Sequence, residues 1–190
     1  MRQTELFYKT LKKAPKSQDA LSSVLLTRAG FIDQAAAGSY TFLPLGFLVL
    51  KKIENIIREE MIKAGGQEIL MPALTPKENW QKTGRWQSFA VLFKIKTENK
   101  KEYALGPTHE EVVAPLAKKI ILSYKDLPIY LFQIQTKFRN ELRVKSGLIR
   151  TREFIMKDIY SFHRDESDLH KYYQKMAETY FKIFKRCSVP

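Results

Sequence analysis

Tyr130-Leu-Phe-Gln-Ile-Gln-Thr-Lys-Phe-Arg-Asn-Glu141 alternates polar and apolar residues with a period of two, the signature of a half-buried β-strand. One face presents Gln133, Gln135, Lys137, Arg139 and Glu141; the other presents Phe132, Ile134, Phe138 and Leu142. The chain then passes through Arg143–Ile149, a loop with Ser146-Gly147 at its tip. It returns as Arg150-Thr-Arg-Glu-Phe-Ile-Met-Lys-Asp-Ile-Tyr-Ser-Phe-His163, again alternating, with Arg150, Arg152, Phe154, Met156, Asp158, Tyr160 and Phe162 on one face. Folding the two segments as an antiparallel hairpin joins these faces. One surface then carries Arg139, Arg150 and Arg152, the carboxylates Glu141 and Asp158, and flat apolar groups. Arginine forks match phosphate oxygens in pairs. Phe154 offers a ring on which a purine stacks, and the carboxylates accept from amino groups. The pattern predicts a nucleotide pocket with room for a second, zwitterionic ligand.

Working outward, Leu50, Ile53, Ile57 and Met61 recur at helical spacing, with Val49 and Ile56 widening the stripe, and predict a helix from Leu45 to Ala64. Glu54–Arg58 and Glu59–Lys63 are i,i+4 pairs on its polar side, and Gly65-Gly66 supplies a stop. Ile69-Leu-Met71 reads as a strand closed by Pro72, which lacks a backbone donor and so belongs at an edge or boundary. Upstream, a short helix through Leu21–Arg28 precedes a strand pair within Phe31–Pro44 that turns near Ala37-Gly-Ser39; a basic lead-in with Lys9, Lys12, Lys13 and Lys16 against Glu5 and Asp19 comes first. Downstream, 75–101 reads as loop, with Trp80 and Trp86 around a turn and a basic hairpin within Phe93–Tyr103. Thr108 and Glu111 are spaced as a capping box for a helix over 109–122. A final helix presents Tyr172, Tyr173, Met176, Tyr180, Phe181 and Phe184 as its core face, and His163 and His170 read as structural or surface residues.

Composition bounds the function classes. The 190 residues are 44% hydrophobic, enough for a packed core and against disorder. Lys plus Arg is 33 against 20 Asp plus Glu, a net +13 that favours a polyanionic partner such as nucleic acid or a nucleotide. The single cysteine, Cys187, excludes an internal disulfide framework and a cysteine zinc cluster. His109, His163 and His170 fall in no tight ligand spacing, so no metal site is expected. The N-terminus lacks the uninterrupted apolar run of a signal peptide, and no stretch of about 18 apolar residues is available to span a membrane. A reducing, cytoplasmic setting is the expectation.

With these residues in view, a family becomes recognisable. Phe138-Arg-x-Glu141, a loop, and Arg150-x-x-x-Phe154 resemble motif 2 of the class II aminoacyl-tRNA synthetases. The helix from Leu45 through Gly65-Gly66 to Pro72 resembles motif 1, whose closing proline lies at that family's dimer interface. Leu105-Gly-Pro-Thr-His-Glu-Glu111 resembles the proline-recognition T-x-E loop of the bacterial-type prolyl-tRNA synthetases. Thr27-Arg-Ala-Gly30, Gly84-Arg-Trp86 and Met156-Lys-Asp-Ile-Tyr-Ser-Phe-His163 agree, so ordered blocks cover nearly the whole chain.

The resemblance implies an α+β fold, a class II synthetase-like antiparallel sheet flanked by helices, with motifs 1 and 2 present and motif 3 absent. It divides 1–190, the N-terminal portion of a catalytic domain, into a lead-in helix and hairpin (1–44), the motif 1 region (45–76), the proline-recognition loop region (77–128), the motif 2 hairpin (129–163) and a helix (164–190). The family's editing insertion and anticodon-binding domain are expected to be absent. It implies a proline–tRNA ligase that makes prolyl-adenylate from proline and ATP, with Mg2+, and transfers it to tRNA(Pro). Arg139 would be the catalytic residue on the α-phosphate. Glu141, Arg150, Arg152 and Phe154 would complete ATP binding, with Thr108, Glu110, Met156, Asp158 and Tyr160 around proline. Pro72 would mark a homodimer interface. Without motif 3 the 190 residues alone are expected to be inactive.

Bland readings compete at each position. Thr108 caps a helix without a substrate, Arg139 and Glu141 form an ordinary surface ladder, and Phe154 and Tyr160 are core residues. Two rival functions also stand. One is a non-catalytic tRNA- or RNA-binding or dimerisation module derived from a class II synthetase. The other is a sibling synthetase for another small amino acid, with the threonyl type disfavoured because it needs a protein-bound zinc.

Overall fold

The computed structural model describes residues 2–13, 15 and 20–189; Lys16, Asp19 and Pro190 lie outside the described residues. Among its described residues the basic lead-in holds a 3-10 turn, Gln3–Glu5, before helix α1 (Leu21–Arg28). Strands β1 (Ile32–Ala36) and β2 (Ser39–Phe42) then pair antiparallel as expected. Their turn uses Gly38 at φ +79°, left-handed backbone that side chains disfavour.

Helix α2 (Pro44–Lys63) starts with proline where a missing N–H costs nothing. It ends where Gly65 takes φ +95° and the Gly65 and Gly66 amides bond back to Ile62 and Met61. Its apolar stripe is divided. Met61 and the adjoining Ala64 are buried and Ile56 and Ile57 pack on the core, whereas Phe47, Leu48, Val49 and Ile53 are exposed. The expected i,i+4 ion pairs do not form. Glu54 takes Lys51 at 2.7 Å, Arg58 takes Glu68 at 2.8 Å, Lys63 takes Glu60 at 2.9 Å and Glu59 takes Arg186 at 2.6 Å. Arg58 and Glu59 thus take partners from other segments, one ten residues on and one 127 residues on, over their own i,i+4 neighbours.

The strand predicted at 69–71 lies earlier, as β3 (Gln67–Glu68). Ile69 still donates to the Phe132 carbonyl, but Met71 pairs with side chains of Gln133 and Gln135 rather than with a strand backbone, which is why the ladder stops. The region read as loop is more ordered than expected: β4 (Leu74–Pro76), α3 (Lys77–Lys82) and the one-turn α4 (Arg85–Ser88) precede the hairpin of β5 (Phe93–Lys96) and β6 (Glu102–Leu105). These elements close around Trp80, Trp86, Leu92 and Ala104, a second small core. Large aromatics packed non-locally supply the order that local periodicity did not show.

Helix α5 (Glu110–Ile120) leads through a 3-10 turn at Tyr124–Asp126 to the deciding hairpin, β7 (Ile129–Phe138) and β8 (Glu153–Phe162). Their ten-residue antiparallel register runs from Ile129 opposite Phe162 to Phe138 opposite Glu153, and β3 adds in parallel on the free side of β7. Helix α6 (Glu166–Arg186), capped by the Asp165 side chain on the Asp168 amide, then crosses one face. The sheet separates two environments. Phe132 and Ile134 face α2 and α6 in a core with Met61, Tyr172, Met176 and Ile183, where Tyr130 and Tyr172 stack with ring centroids 3.8 Å apart. Gln133, Gln135 and Lys137 face the other way. The core face of α6 is narrower than expected: Tyr172, Met176, Thr179 and Ile183 are buried, while Tyr173, Tyr180, Phe181 and Phe184 are exposed. Spacings of four, three and four residues keep the first set on one side of a 3.6-residue helix, and Tyr173 and Phe181 fall outside that stripe.

Candidate functional site

The register places Gln133 opposite Asp158, Gln135 opposite Met156 and Lys137 opposite Phe154, so the two alternating faces form one surface as the sequence predicts. Arg139 and Glu141 lie just beyond it. The strand pair ends at Phe138 and Glu153, and the Arg139 amide donates to the Arg152 carbonyl, which carries the chain into the loop. At the loop tip Ser146 and Gly147 both take φ +60°.

Arg139 and Phe154 meet. The guanidinium carbon is 5.3 Å from the ring centroid, one Nη donates weakly to the Pro107 carbonyl at 3.4 Å, and the Nε is buried without an acceptor. Among the described residues no carboxylate pairs with Arg139. Arg150, in contrast, grips Glu141 through Nε and Nη2 at 3.0 and 2.7 Å. Arg152 donates to the backbone carbonyls of Glu141 and Ala37, the second in the β1–β2 turn. A Cβ on Gly38 would stand 2.5 Å from Val144 and 3.0 Å from the Arg152 nitrogen, so that turn and the loop touch backbone to backbone.

The segment before α5 approaches the same surface. The capping box read from Thr108 and Glu111 does not form: His109 occupies the N-cap position with no side-chain cap. The Thr108 hydroxyl instead donates to Glu110 at 2.5 Å. Buried Glu111 is taken by Arg85 at 2.8 Å and the Thr83 hydroxyl at 3.2 Å. Arg85, stacked over Phe89 at 4.5 Å, out-competes a local cap because it brings a full charge to a buried carboxylate. Glu110 stays more than half exposed, with Arg85 3.7 Å away.

Beneath Thr108 and Glu110 lies a polar network whose burial the sequence did not reveal. Lys137 is fully buried, its ammonium 3.0 Å from Asp158 and 2.6 Å from His109 Nδ1. Asp158 also accepts from Gln133 at 3.0 Å and from the Tyr160 hydroxyl at 2.8 Å, and Tyr160 in turn accepts from the His109 amide at 3.0 Å. An ammonium only donates, so Nδ1 of His109 is the acceptor and Nε2–H donates to the Pro72 carbonyl at 3.1 Å. Burial, then the Lys137 charge, push the His109 pKa below its ordinary value, which fits this neutral tautomer. Burial also lowers Lys137 against the opposing pull of Asp158. Burial, reinforced by the bond to Asp158, raises Tyr160. Pro72 itself is exposed. Thus the predicted residues Thr108, Glu110, Asp158 and Tyr160 come together, Met156 lies in the same face, and Arg139 with Phe154 sits alongside. Among the described residues no group of three or more His, Cys, Asp or Glu side chains is arranged to hold a metal.

Comparison with known proteins shows what the chain is similar to. Residues 93–190 match the tRNA synthetase class II core domain (G, H, P, S and T). Two proline–tRNA ligases, from Pelotomaculum thermopropionicum and a Geobacillus species, are each 52% identical over all 190 residues, which cover 33% and 34% of those proteins. The chain therefore spans about a third of the length of these relatives. Among solved structures, a Giardia lamblia prolyl-tRNA synthetase in complex with prolyl-adenylate superposes on 84% of the chain and 34% of its own, with TM-score 0.79 and 27% identity. A Cryptosporidium parvum prolyl-tRNA synthetase complexed with L-proline and AMP, 18% identical, shares the fold over 85% of the chain and 32% of its own, with TM-score 0.75.

Proposed function

The chain belongs to the class II tRNA synthetase core-domain family, and on that premise we propose that it forms the N-terminal portion of the catalytic unit of a proline–tRNA ligase. The observation that carries the proposal is Arg139. It is a guanidinium with an unmet buried donor and, among the described residues, no acid partner, stacked beside Phe154 and next to the Thr108–Glu110 loop. A cation left unpaired in a partly buried site is prepared for an anion.

In this reading proline lies between Glu110, Thr108 and the wall of Met156, Asp158 and Tyr160, with its secondary ammonium on Glu110 and Thr108. Its carboxylate attacks the α-phosphorus of ATP in line, and Arg139 neutralises the charge that builds there. The barrier falls through positioning and fixed charge, without a covalent protein nucleophile. Adenine stacks on Phe154. Arg150 reaches the outer phosphates by exchanging Glu141 for phosphate oxygens, which frees Glu141 for the adenosine end or the tRNA terminus, while Arg152 anchors the loop. Mg2+ accompanies the ATP in this family; the described residues offer no cluster to hold it, and the chemistry above is that of the side chains alone.

tRNA(Pro) is the proposed polyanionic partner of the +13 chain. A homodimer through 45–76, including Pro72, would cover Phe47, Leu48, Val49 and Ile53. We place the protein in the cytoplasm; no helix among the described residues is long and apolar enough to cross a membrane. Thermal stabilisation of the chain by amino acids with ATP present tests the assignment. Proline is expected to stabilise, and stabilisation by serine or glycine but not proline overturns it. Glu110→Gln should weaken proline binding and spare ATP, because Glu110 holds nothing in the core; unchanged proline affinity would remove Glu110 from the pocket.

A further inference from the structure

We propose that Lys137 and His109 are positioning residues for the amino-acid site, a buried cation and a neutral imidazole that fix the Thr108–Glu110 loop and cancel the charge of Asp158. The inference rests on the reading of Thr108, Glu110, Asp158 and Tyr160 as the proline site, and adds to it two residues with no place in that reading.

Three observations support it. First, Glu110 is exposed and Thr108 half-buried, while His109 between them is fully buried. Its ring is held from both ends, Lys137 donating to Nδ1 at 2.6 Å and Nε2–H donating to Pro72 at 3.1 Å. Its amide is tied to Tyr160 at 3.0 Å, so ring and backbone together set where Thr108 and Glu110 stand. Second, the loop is moulded to that ring: a Cβ on Gly106 would be 2.8 Å from His109 Cε1 and 3.1 Å from Nε2. Third, the charges sum selectively. Asp158 is matched by Lys137 at 3.0 Å, whereas Glu110 is half exposed, with Arg85 no nearer than 3.7 Å. Glu110 is therefore the carboxylate left for a secondary ammonium, and Asp158 instead holds the Tyr160 hydroxyl at 2.8 Å. The groups facing His109 are Lys137 from β7, Asp158 and Tyr160 from β8 and Glu110 from α5. With Lys137 present the first two charges cancel and the imidazole stays neutral. Without it the imidazole faces only acids, so its pKa rises against the burial that holds it down.

The test is calorimetry of prolyl-sulfamoyl-adenosine binding to the chain from about pH 6 to 8, with ATP binding measured in parallel. The parent should bind with a flat profile. Lys137→Met should bind the analogue at least about tenfold more weakly, the scale of one lost charge-assisted contact, with ATP affinity held. Its affinity should also acquire a pH step as His109 titrates, which a merely structural loss would not create. His109→Gln exchanges neutral for neutral and keeps the fold even where Lys137→Met does not; it too should lose about tenfold, without the step. Parent-like affinity in His109→Gln, or a flat and undiminished profile in Lys137→Met, overturns the inference. Failure of the parent to bind the analogue overturns the underlying site reading instead, a separate result.

Discussion

Arg139→Met should move ligand binding and stability in opposite directions. In the free chain the guanidinium has one weak bond to Pro107 at 3.4 Å, a stacking contact on Phe154 at 5.3 Å and a buried Nε with no acceptor. The stacking is worth about 0.5–1 kcal/mol, while an unmet buried donor costs about 1–3 kcal/mol. Methionine keeps the apolar contact with Phe154 and removes the unmet donor, so the variant should be between equally stable and about 2 kcal/mol more stable. At about 2–4 °C per kcal/mol for a chain of this size, the melting temperature should hold or rise by up to about 8 °C. Nucleotide binding should fall. A charge-assisted contact to phosphate is worth about 1.5–3 kcal/mol, so ATP affinity should drop roughly 10- to 150-fold. Differential scanning fluorimetry and calorimetric titration with ATP read the two quantities on the same samples. A melting temperature lowered by more than about 5 °C would make Arg139 a structural residue, and undiminished ATP affinity would refute its place at the phosphate.

Further outcomes follow from the same geometry. Gly46→Ala should destabilise although alanine is the better helix former by about 1 kcal/mol, because its Cβ would stand 2.1 Å from the Phe31 carbonyl oxygen. Overpacking of this kind costs about 1–3 kcal/mol, and a raised melting temperature would contradict the close approach of α2 to that carbonyl. Stability should fall on acidification from neutral pH. His109 has a folded pKa below its ordinary 6.5, so the unfolded chain binds the proton more readily and stability is lost as pH drops through that window, at most about 1.4 kcal/mol per unit. Glu60, held below its ordinary 4.5 by hydrogen bonds from Lys63 and then Arg186, adds a second loss at lower pH. Urea melts from about pH 7.5 to 4 should show both, with the upper loss missing in His109→Gln; stability that rises on acidification would contradict the assignment.

What the sequence made legible was whatever depends on local period. The alternation in β7 and β8 placed Gln133, Gln135 and Lys137 on one face with Phe154, Met156, Asp158 and Tyr160, and the register agrees. The apolar spacing and double glycine located α2 within a residue or two. Choices settled between distant segments were not legible. Glu111 is spaced for a cap with Thr108, yet Arg85, twenty-six residues earlier, binds it; Arg58 is spaced for Glu54, yet Glu68 holds it. Period two assigns Lys137 to the polar face, but only the loop at 106–110 folding over that face makes it buried, and no local pattern encodes that cover. The same holds for the order around Trp80 and Trp86, which comes from packing on Leu92 and Ala104.

The central claim, that Arg139, Phe154, Thr108 and Glu110 form one site for an activated proline, is tested most directly by a competition among aminoacyl-sulfamoyl-adenosines. The chain should bind the prolyl analogue, and bind the seryl and glycyl analogues at least about tenfold more weakly, since a ring-bearing secondary ammonium is what Glu110 and the Met156–Tyr160 wall would read. Equal binding of all three, or preference for the seryl or glycyl analogue, would contradict it.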